Sequence, residues 1–187
     1  MFGPDKNEYD LMTVTIPAWI DGALRPVEKL EVHKRGLRHL AVSVFVIAGN
    51  EVLIQKRAAS KYHTPGLWAN TCCTHPHWGE SSLDCATRRL NEELGISGLA
   101  PVYRHRVEYE ADVGKDMIEN EVVDVFVAEA LADLPVAPDP GEVESTRWVG
   151  LYDLAAEAKR YPDHFTPWLK IYLEDHMPRI FGATVAI

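Results

Sequence analysis

One stretch restricts the fold more than any other, the segment 81–97, "SSLDCATRRLNEELGIS". Ser81 with Asp84 resembles a capping box, and Gly95 suits the left-handed residue that ends a helix. The apolar residues between these signals recur at the spacing of one helix face. They are Leu83, Ala86, Leu90 and Leu94. The segment therefore predicts an amphipathic helix with both ends marked.

Strand signals surround this helix. From Leu40, "LAVSVFVIAGNEVLIQKR" places two β-branched apolar segments around Gly49-Asn50, which predicts a β-hairpin. Further strands are predicted in "PVYRHRVEYEADV", "ENEVVDVFVAEA" and "ESTRWVG", and two helices broken near Pro162 follow. We expect an α/β (α+β) layered domain whose mixed β-sheet is flanked by helices. With 187 residues, the chain predicts a single domain 1–187, with a core over about 28–180 and an N-terminal extension 1–27.

The segment 58–80, "AASKYHTPGLWANTCCTHPHWGE", has no helical or strand period and is rich in Pro, Gly, His and Trp. It predicts a long ordered loop, and such loops inside compact domains are often functional. Cys72 and Cys73 stand there beside His75, His77 and Glu80. This grouping is compatible with a metal clip, a nucleophile or a redox pair.

Charge and cysteine content exclude several classes of protein. The net charge is -9 with no basic run, which disfavours a nucleic-acid partner. An anionic ligand must therefore be held by a few placed cations or by a metal. The longest apolar stretch, "LAVSVFVIA", is too short to span a membrane, and no signal peptide is evident. Three cysteines make a poor disulfide framework. A cytoplasmic protein without a membrane partner is expected.

The helix carries a second pattern. Glu80, seven further residues and "RRLNEELGI" resemble the Nudix box, G-x5-E-x7-R-E-U-x-E-E-x-G-U with U apolar. Thr74 replaces the leading glycine of the pattern, and Arg89 replaces a glutamate. In Nudix hydrolases this cluster of carboxylates holds cations, and here one carboxylate is missing. Diphosphate binding stays plausible because arginine is itself a good phosphate donor. A solvated helix with i,i+4 salt bridges is the plainer interpretation. The matching positions are Glu80, Arg88, Leu90, Glu92, Glu93, Gly95 and Ile96.

Four further motifs narrow the resemblance. "EKLEVHKRGLRH", "NTCCTHP", "ENEV" and "FTPW" occur in this order between about Glu28 and Trp168. Together they resemble the type I isopentenyl-diphosphate Δ-isomerases, a branch of the Nudix fold with a degenerate box. The resemblance implies an enzyme of isoprenoid biosynthesis, a monomer or weak dimer, that interconverts two prenyl diphosphates through a tertiary carbocation.

The resemblance also implies catalytic residues. Cys73 matches the family's thiol, Glu121 with Tyr109 matches the protonating pair on the opposite face, and Trp168 matches the ring that faces the carbocation. Cys72 is expected to face away from Cys73, because neighbours on an extended chain point to opposite sides. Cys85, on the helix, is interpreted as a packing residue.

Cation and metal sites follow from the same motifs. The cations that match the diphosphate-binding positions are Lys29, Arg57, Lys61 and Arg89. The residues that match the ligands of an ion such as Mn²⁺, Mg²⁺ or Zn²⁺ are His33, His39, His75, Glu119 and Glu121. Glu93 matches a carboxylate that holds a second Mg²⁺ bridged to the diphosphate. The histidines that match nothing, interpreted as core or surface residues, are His63, His77, His105, His164 and His176.

Two alternatives belong to other classes. A Nudix hydrolase of a nucleoside or prenyl diphosphate would need the carboxylate that Arg89 replaces. A non-catalytic zinc or redox module would use Cys72, Cys73, His75 and His77, but these lie too close together for a tetrahedral site without a distant second pair, and no C-x2-C pair exists.

Overall fold

The computed structural model describes residues 14–182. Within that range it contains nine strands and five α-helices. The strands are β1 Thr15–Ile20, β2 Ala23–Glu28, β3 Arg38–Ala48, β4 Glu51–Arg57, β5 Trp68–Ala69, β6 Cys72–Thr74, β7 Val102–Gly114, β8 Met117–Glu129 and β9 Val143–Gly150. The α-helices are α1 Lys29–Arg35, α2 Ser82–Leu94, α3 Leu151–Arg160, α4 Pro167–Ile171 and α5 Met177–Phe181.

Helix α2 begins and ends where the sequence predicts. The backbone N–H of Asp84 donates to Ser81 Oγ at 3.1 Å, and Gly95 adopts the left-handed conformation with φ of 65°. Leu90 is buried, as are Ala86 and Leu94, but Leu83 is 48% exposed. The apolar face of this helix therefore starts one turn later than its leucine spacing suggests.

Strand β3 is the centre of the sheet. It pairs in parallel with β8 over Arg38–Ile47, and on its other side it pairs antiparallel with β1, β6 and β4 in turn. The predicted turn at Gly49-Asn50 joins β3 to β4. A long strand with four partners brings segments from distant parts of the chain side by side.

Side chains of β3 alternate between two apolar clusters, one on each face of the sheet. Val44 and Val46 pack with α2, whereas Phe45 packs with Trp168 and Tyr172 from the C-terminal segment. The predicted α+β layered domain with a mixed, helix-flanked sheet is confirmed.

Two stretches differ from the sequence interpretation. The segment 58–80, predicted as loop throughout, contains β5 and β6, and β6 pairs with Val42–Val44 of β3. Three residues are too few to display a strand period, so only the long-range pairing defines this strand. The predicted extension 1–27 is part of the core from residue 14 onward. Strands β1 and β2 join the sheet there, and Ile16 and Ala18 are fully buried. Residues 1–13 lie outside the described range.

The C-terminal segment breaks near Pro162 as predicted. Helix α3 ends at Arg160, and a 3₁₀ turn over Pro162–His164 leads into α4. A π-helical turn over Tyr172–His176 connects α4 to α5. No helix between residues 14 and 182 combines the length and apolar character needed to cross a membrane.

Candidate active site and metal centre

The predicted histidines and glutamates meet because of strand register. β3 and β8 run parallel with His39 opposite Glu121, and His75 follows the end of β6 on the other side of β3. Residues two apart on a strand share a face, so Glu119 lies beside Glu121. The two carboxylates are 2% and 1% exposed, which excludes a solvated strand edge.

Four of the five predicted metal ligands form one tight group. The candidate ligand atoms of His33, His39, His75 and Glu121 all lie within 4.8 Å of one another. Nε2 of His75 is 3.0 Å from Glu121 Oε1, and Nε2 of His39 is 3.4 Å from it. Glu119 belongs to a second group, with His33 and His63.

Backbone carbonyls set the tautomers of two histidines. Nδ1 of His33 lies 2.7 Å from the carbonyl of Lys29, and Nδ1 of His39 lies 2.7 Å from that of Leu37. A carbonyl only accepts, so Nδ1 carries the proton in both rings and Nε2 keeps its lone pair. Both Nε2 atoms are therefore available as ligands.

The donor set fits a divalent ion. His33 Nε2 is buried without a hydrogen-bond partner among the described residues. Burial lowers the pKa of His33 to about 3 and that of His75 well below its usual value, so both rings are neutral at physiological pH. Neutral imidazoles and carboxylates in a buried cluster are donors that a divalent cation accepts.

A tyrosine joins the two carboxylates. The hydroxyl of Tyr109 lies 2.9 Å from Glu119 Oε2 and 2.7 Å from Glu121 Oε2. Burial and the charge of Glu121 raise the pKa of Glu119 well above its usual value. Burial opposes ionisation of Glu121 as well, but its contacts with the rings of His39 and His75 hold its pKa low. The pair can thus hold one proton next to one negative charge.

The two neighbouring cysteines face opposite sides, as predicted. Cys73 packs against the apolar cluster that contains Phe45 and Trp168, and it accepts a hydrogen bond from Ser43 Oγ at 3.3 Å. Cys72 is fully buried in the apolar cluster on the other face, which contains the buried residues of α2. Burial, with the charges of Glu121 and Glu119, raises the pKa of Cys73 well above its usual value, so it is a thiol at neutral pH. All three cysteines are free.

Trp168 is held against the cysteine segment. Its indole N–H donates to Asn70 Oδ1 at 3.1 Å, and the amide of Asn70 donates to the carbonyl of Cys72 at 2.7 Å. The guanidinium of Arg57 lies 5.3 Å from the centre of the indole ring. Trp168, Cys73 and Glu121 line one narrow inner cavity.

Positive charge surrounds the entrance of this cavity. Lys29, Lys61 and Arg89 line both the inner cavity and a wider outer one. Burial, together with the charges of Lys61 and Arg89, lowers the pKa of Lys29 to about 8. Glu142 forms ion pairs with Lys61 and Arg89 there. The entrance is suited to an anion with several oxygens.

The carboxylates of the box-like helix are paired with arginines. Arg88 makes two hydrogen bonds to Glu80, at 2.7 and 2.8 Å. Arg89 lies 2.6 Å from Glu93 Oε1, and the side-chain amide of Gln55 donates to Glu93 Oε2 at 3.1 Å. Glu93 is only 4% exposed, so the solvated-helix interpretation is wrong for this residue.

Comparison with known proteins agrees with this geometry. Residues 37–169 match the NUDIX domain family. The isopentenyl-diphosphate Delta-isomerase of Cereibacter sphaeroides (strain ATCC 17025 / ATH 2.4.3) is 70% identical over 171 residues, which cover 91% of this chain and 97% of the relative. The isomerase of the same name from Ruegeria pomeroyi is 61% identical over 176 residues, 94% and 98% of the two chains.

The chain belongs to the isopentenyl-diphosphate Delta-isomerase family of NUDIX-domain proteins. Solved structures of lower identity share the fold. The MutT protein of Methanosarcina mazei aligns with a TM-score of 0.58 at 18% identity, over 73% of this chain and 91% of its own. The MutT NUDIX hydrolase of Burkholderia pseudomallei aligns with 0.57 at 24% identity, over 74% and 98%.

His63 also lies in the site of this isomerase-family fold, and the sequence did not predict it there. Its side chain, interpreted as a core or surface residue, is 4% exposed and lies with Nε2 3.5 Å from Glu119 Oε1. No spacing signal marks it, because it lies in an irregular loop. The zinc-module alternative is contradicted, since neither Cys72 nor Cys73 belongs to a group of candidate ligands among the described residues.

Proposed function

We propose that this chain interconverts isopentenyl diphosphate and dimethylallyl diphosphate, as the names of its relatives indicate. One structural observation carries the proposal. A thiol, Cys73, and a carboxylate, Glu121, line the same buried cavity as the indole of Trp168, behind an entrance rich in cations. This combination answers the needs of moving a double bond rather than of hydrolysing a diphosphate.

The reaction needs one proton delivered to an alkene carbon and another removed across the resulting cation. We assign the first task to Glu121 with Tyr109, whose hydroxyl bridges the two glutamates, and the second to Cys73; the roles exchange in the reverse direction. Because both carboxylates are buried and the thiol is partly buried, the transferred protons are shielded from bulk water.

The cationic intermediate needs stabilisation without a nucleophile. We assign this to Trp168, whose fully buried ring offers a cation–π interaction of about 2 kcal/mol. Arg57, Lys61 and Arg89 hold the diphosphate at the entrance, together with Lys29. A diphosphate fixed there cannot leave from the allylic product.

We also propose a divalent ion, Mn²⁺, Mg²⁺ or Zn²⁺, in the histidine and glutamate cluster. The residues that would hold it are His33, His39, His75, Glu119 and Glu121. Such an ion would supply positive charge beside the two carboxylates, while the proton to be delivered would be shared by Glu119 and the Tyr109 hydroxyl next to Glu121. Glu93 would hold a second Mg²⁺ shared with the diphosphate. The same proposal describes a cytoplasmic, single-domain monomer or weak dimer without nucleic-acid or membrane partners.

An isomerisation assay tests the function. Purified protein with Mg²⁺ and isopentenyl diphosphate should produce dimethylallyl diphosphate, measured by separation of the two isomers. Cys73→Ala should abolish turnover, and the neighbouring substitution Cys72→Ala is the matched control, because Cys72 faces the other side of the sheet. Activity of Cys73→Ala with loss in Cys72→Ala would reverse the assignment within the pair.

The same assay separates the isomerase from a hydrolase. Arg89 stands where a Nudix hydrolase has a carboxylate, and its guanidinium is already bound to Glu93. We therefore expect no inorganic phosphate and no prenyl monophosphate. Release of either product in place of the isomer would contradict the proposed function.

A further inference from the structure

We propose that His63 is a further ligand of the metal centre, so that one ion is held by four histidines and two glutamates. This inference rests on the metal centre of the proposed function and extends it. His63 lies in the irregular loop between β4 and β5, whereas the other ligands lie on a helix, on strands or at strand ends.

The His63 ring is inserted into the site rather than left at the surface. It stacks on His33, with ring centres 5.6 Å apart and planes 26° apart, and meets the edge of Trp168. Its carbonyl accepts a hydrogen bond from Arg57 Nη2 at 3.1 Å, and its Nδ1 lies 3.1 Å from Thr64 Oγ1. Side-chain and backbone contacts thus fix the ring with Nε2 toward Glu119.

The backbone next to His63 is strained. Thr64 has φ of 44°, in the left-handed region that β-branched residues avoid. Such strain persists only where the surroundings hold it, and it is concentrated at functional sites. Thr64 is itself buried and touches His63 through its hydroxyl, so the strained turn serves to present this imidazole.

The two groups of candidate ligands share one residue. His33 belongs both to the group with His39, His75 and Glu121 and to the group with His63 and Glu119. Its Nδ1 is committed to the carbonyl of Lys29, so only Nε2 can bind a metal, and a neutral imidazole nitrogen binds one ion. The two groups therefore cannot each hold an ion at the same time.

One ion that uses both groups resolves this overlap. Ligand atoms on opposite sides of an ion, at bond lengths of about 2.1 Å, are about 4.2 Å apart, comparable with the 4.8 Å limit within each group. Any ion that recruits Glu119 must come close to His63, because these two side chains lie in the same group. Six donors, four nitrogens and two oxygens, complete an octahedral shell.

This donor set has a consequence for metal choice. Mg²⁺ prefers oxygen ligands, whereas imidazole suits transition ions. A fourth histidine should therefore favour Mn²⁺, Co²⁺ or Zn²⁺ over Mg²⁺ at this centre. His63 would be a determinant of metal specificity at this centre.

Pulsed EPR of the Mn²⁺-loaded full chain, labelled with ¹⁵N-histidine and free of diphosphate, counts the coordinated imidazoles. We expect four in the unaltered protein and three in His63→Gln, with Mn²⁺ affinity at least about tenfold weaker and Mg²⁺ affinity less affected. His164→Gln is the matched control, since His164 is exposed and stacks only on Tyr161.

The count in the unaltered protein decides the proposal even if His63→Gln does not fold. Three imidazoles, or an unchanged count in a folded His63→Gln protein, would show that His63 only supports Glu119. Two Mn²⁺ ions bound at the centre would also overturn it. None of these readouts depends on isomerase activity, so a failed isomerisation assay and a failed ligand assignment are distinguishable.

Discussion

Two acidic clusters of this molecule balance their negative charge in different ways. The box cluster consists of Glu80, Glu92 and Glu93, and each of its carboxylates binds Arg88 or Arg89. The strand cluster consists of Glu119 and Glu121, and its partners are histidines and the Tyr109 hydroxyl. Among the described residues, neither strand carboxylate forms an ion pair with a lysine or arginine.

The pKa values reflect this difference. Arg88 lowers the pKa of Glu80 to about 2 through paired hydrogen bonds, whereas burial and Glu121 raise that of Glu119. A carboxylate of the box cluster already has a cationic side chain beside it, whereas the strand cluster needs a proton or a bound cation. The substitution at Arg89 thus explains why the proposed catalytic ion lies at the strand cluster instead of the box.

The largest effect is expected from removing charge in the strand cluster. Glu121→Gln should lower kcat about a thousandfold or more, since a positioned acid or base contributes up to about 10⁴-fold. It should also weaken Mn²⁺ binding, measured by titration. The matched control is Glu92→Gln in the box cluster, where the side chain is 46% exposed and kinetics should stay within about twofold. Equal losses in both variants would contradict the contrast.

A smaller effect is expected from removing a cationic side chain from the box cluster. Arg89→Glu places a negative charge beside Glu93 and Glu142 and removes a diphosphate donor. Hydrogen bonds to charged groups contribute about 1.5–3 kcal/mol, so KM should rise about 10- to 100-fold. Arg35→Glu, at an exposed ion pair with Glu31, is the control for a charge change alone. An unchanged KM would remove Arg89 from the proposed substrate site.

The smallest effect is expected at Glu80. Glu80→Gln should lower the free energy of unfolding at pH 7 by about 1 kcal/mol, measured by urea denaturation, with kinetics unchanged. Because the folded pKa of Glu80 is depressed to about 2, the difference from the unaltered protein should be present above about pH 4.5 and vanish as the pH falls to 2. Glu144→Gln, at an exposed pair with Lys56, should change stability less at every pH.

Much of this contrast is visible in the sequence. The spacing of Arg88 with Glu92 and of Arg89 with Glu93 predicts two pairs of the box cluster, because residues four apart on a helix are neighbours. The contact of Glu80 with Arg88 joins residues eight apart, and the helical spacing does not predict it. The two-residue spacing of Glu119 and Glu121 predicts a shared face. Leu83 is the exception and is exposed. The helical period predicts which residues share a face, but it does not predict where along the helix that face becomes buried.

Residues that act through long-range contacts were not predicted. Ser43 donates to Cys73 and lies 2.9 Å from the Tyr172 hydroxyl, 129 positions away. Glu142 meets Lys61 and Arg89 from a loop that has no period. Neither partnership leaves a local pattern, because each depends on which strands pair.

The sequence alone determined the capped helix α2, the hairpin around Gly49-Asn50 and the opposite facing of Cys72 and Cys73. These features depend on backbone geometry over a few residues, which the local pattern records. The tertiary structure decided that β6 joins β3 and that the His63 ring lies against His33 and Glu119. Such placements follow from the packing of distant segments around a central strand, and they require the whole fold to form.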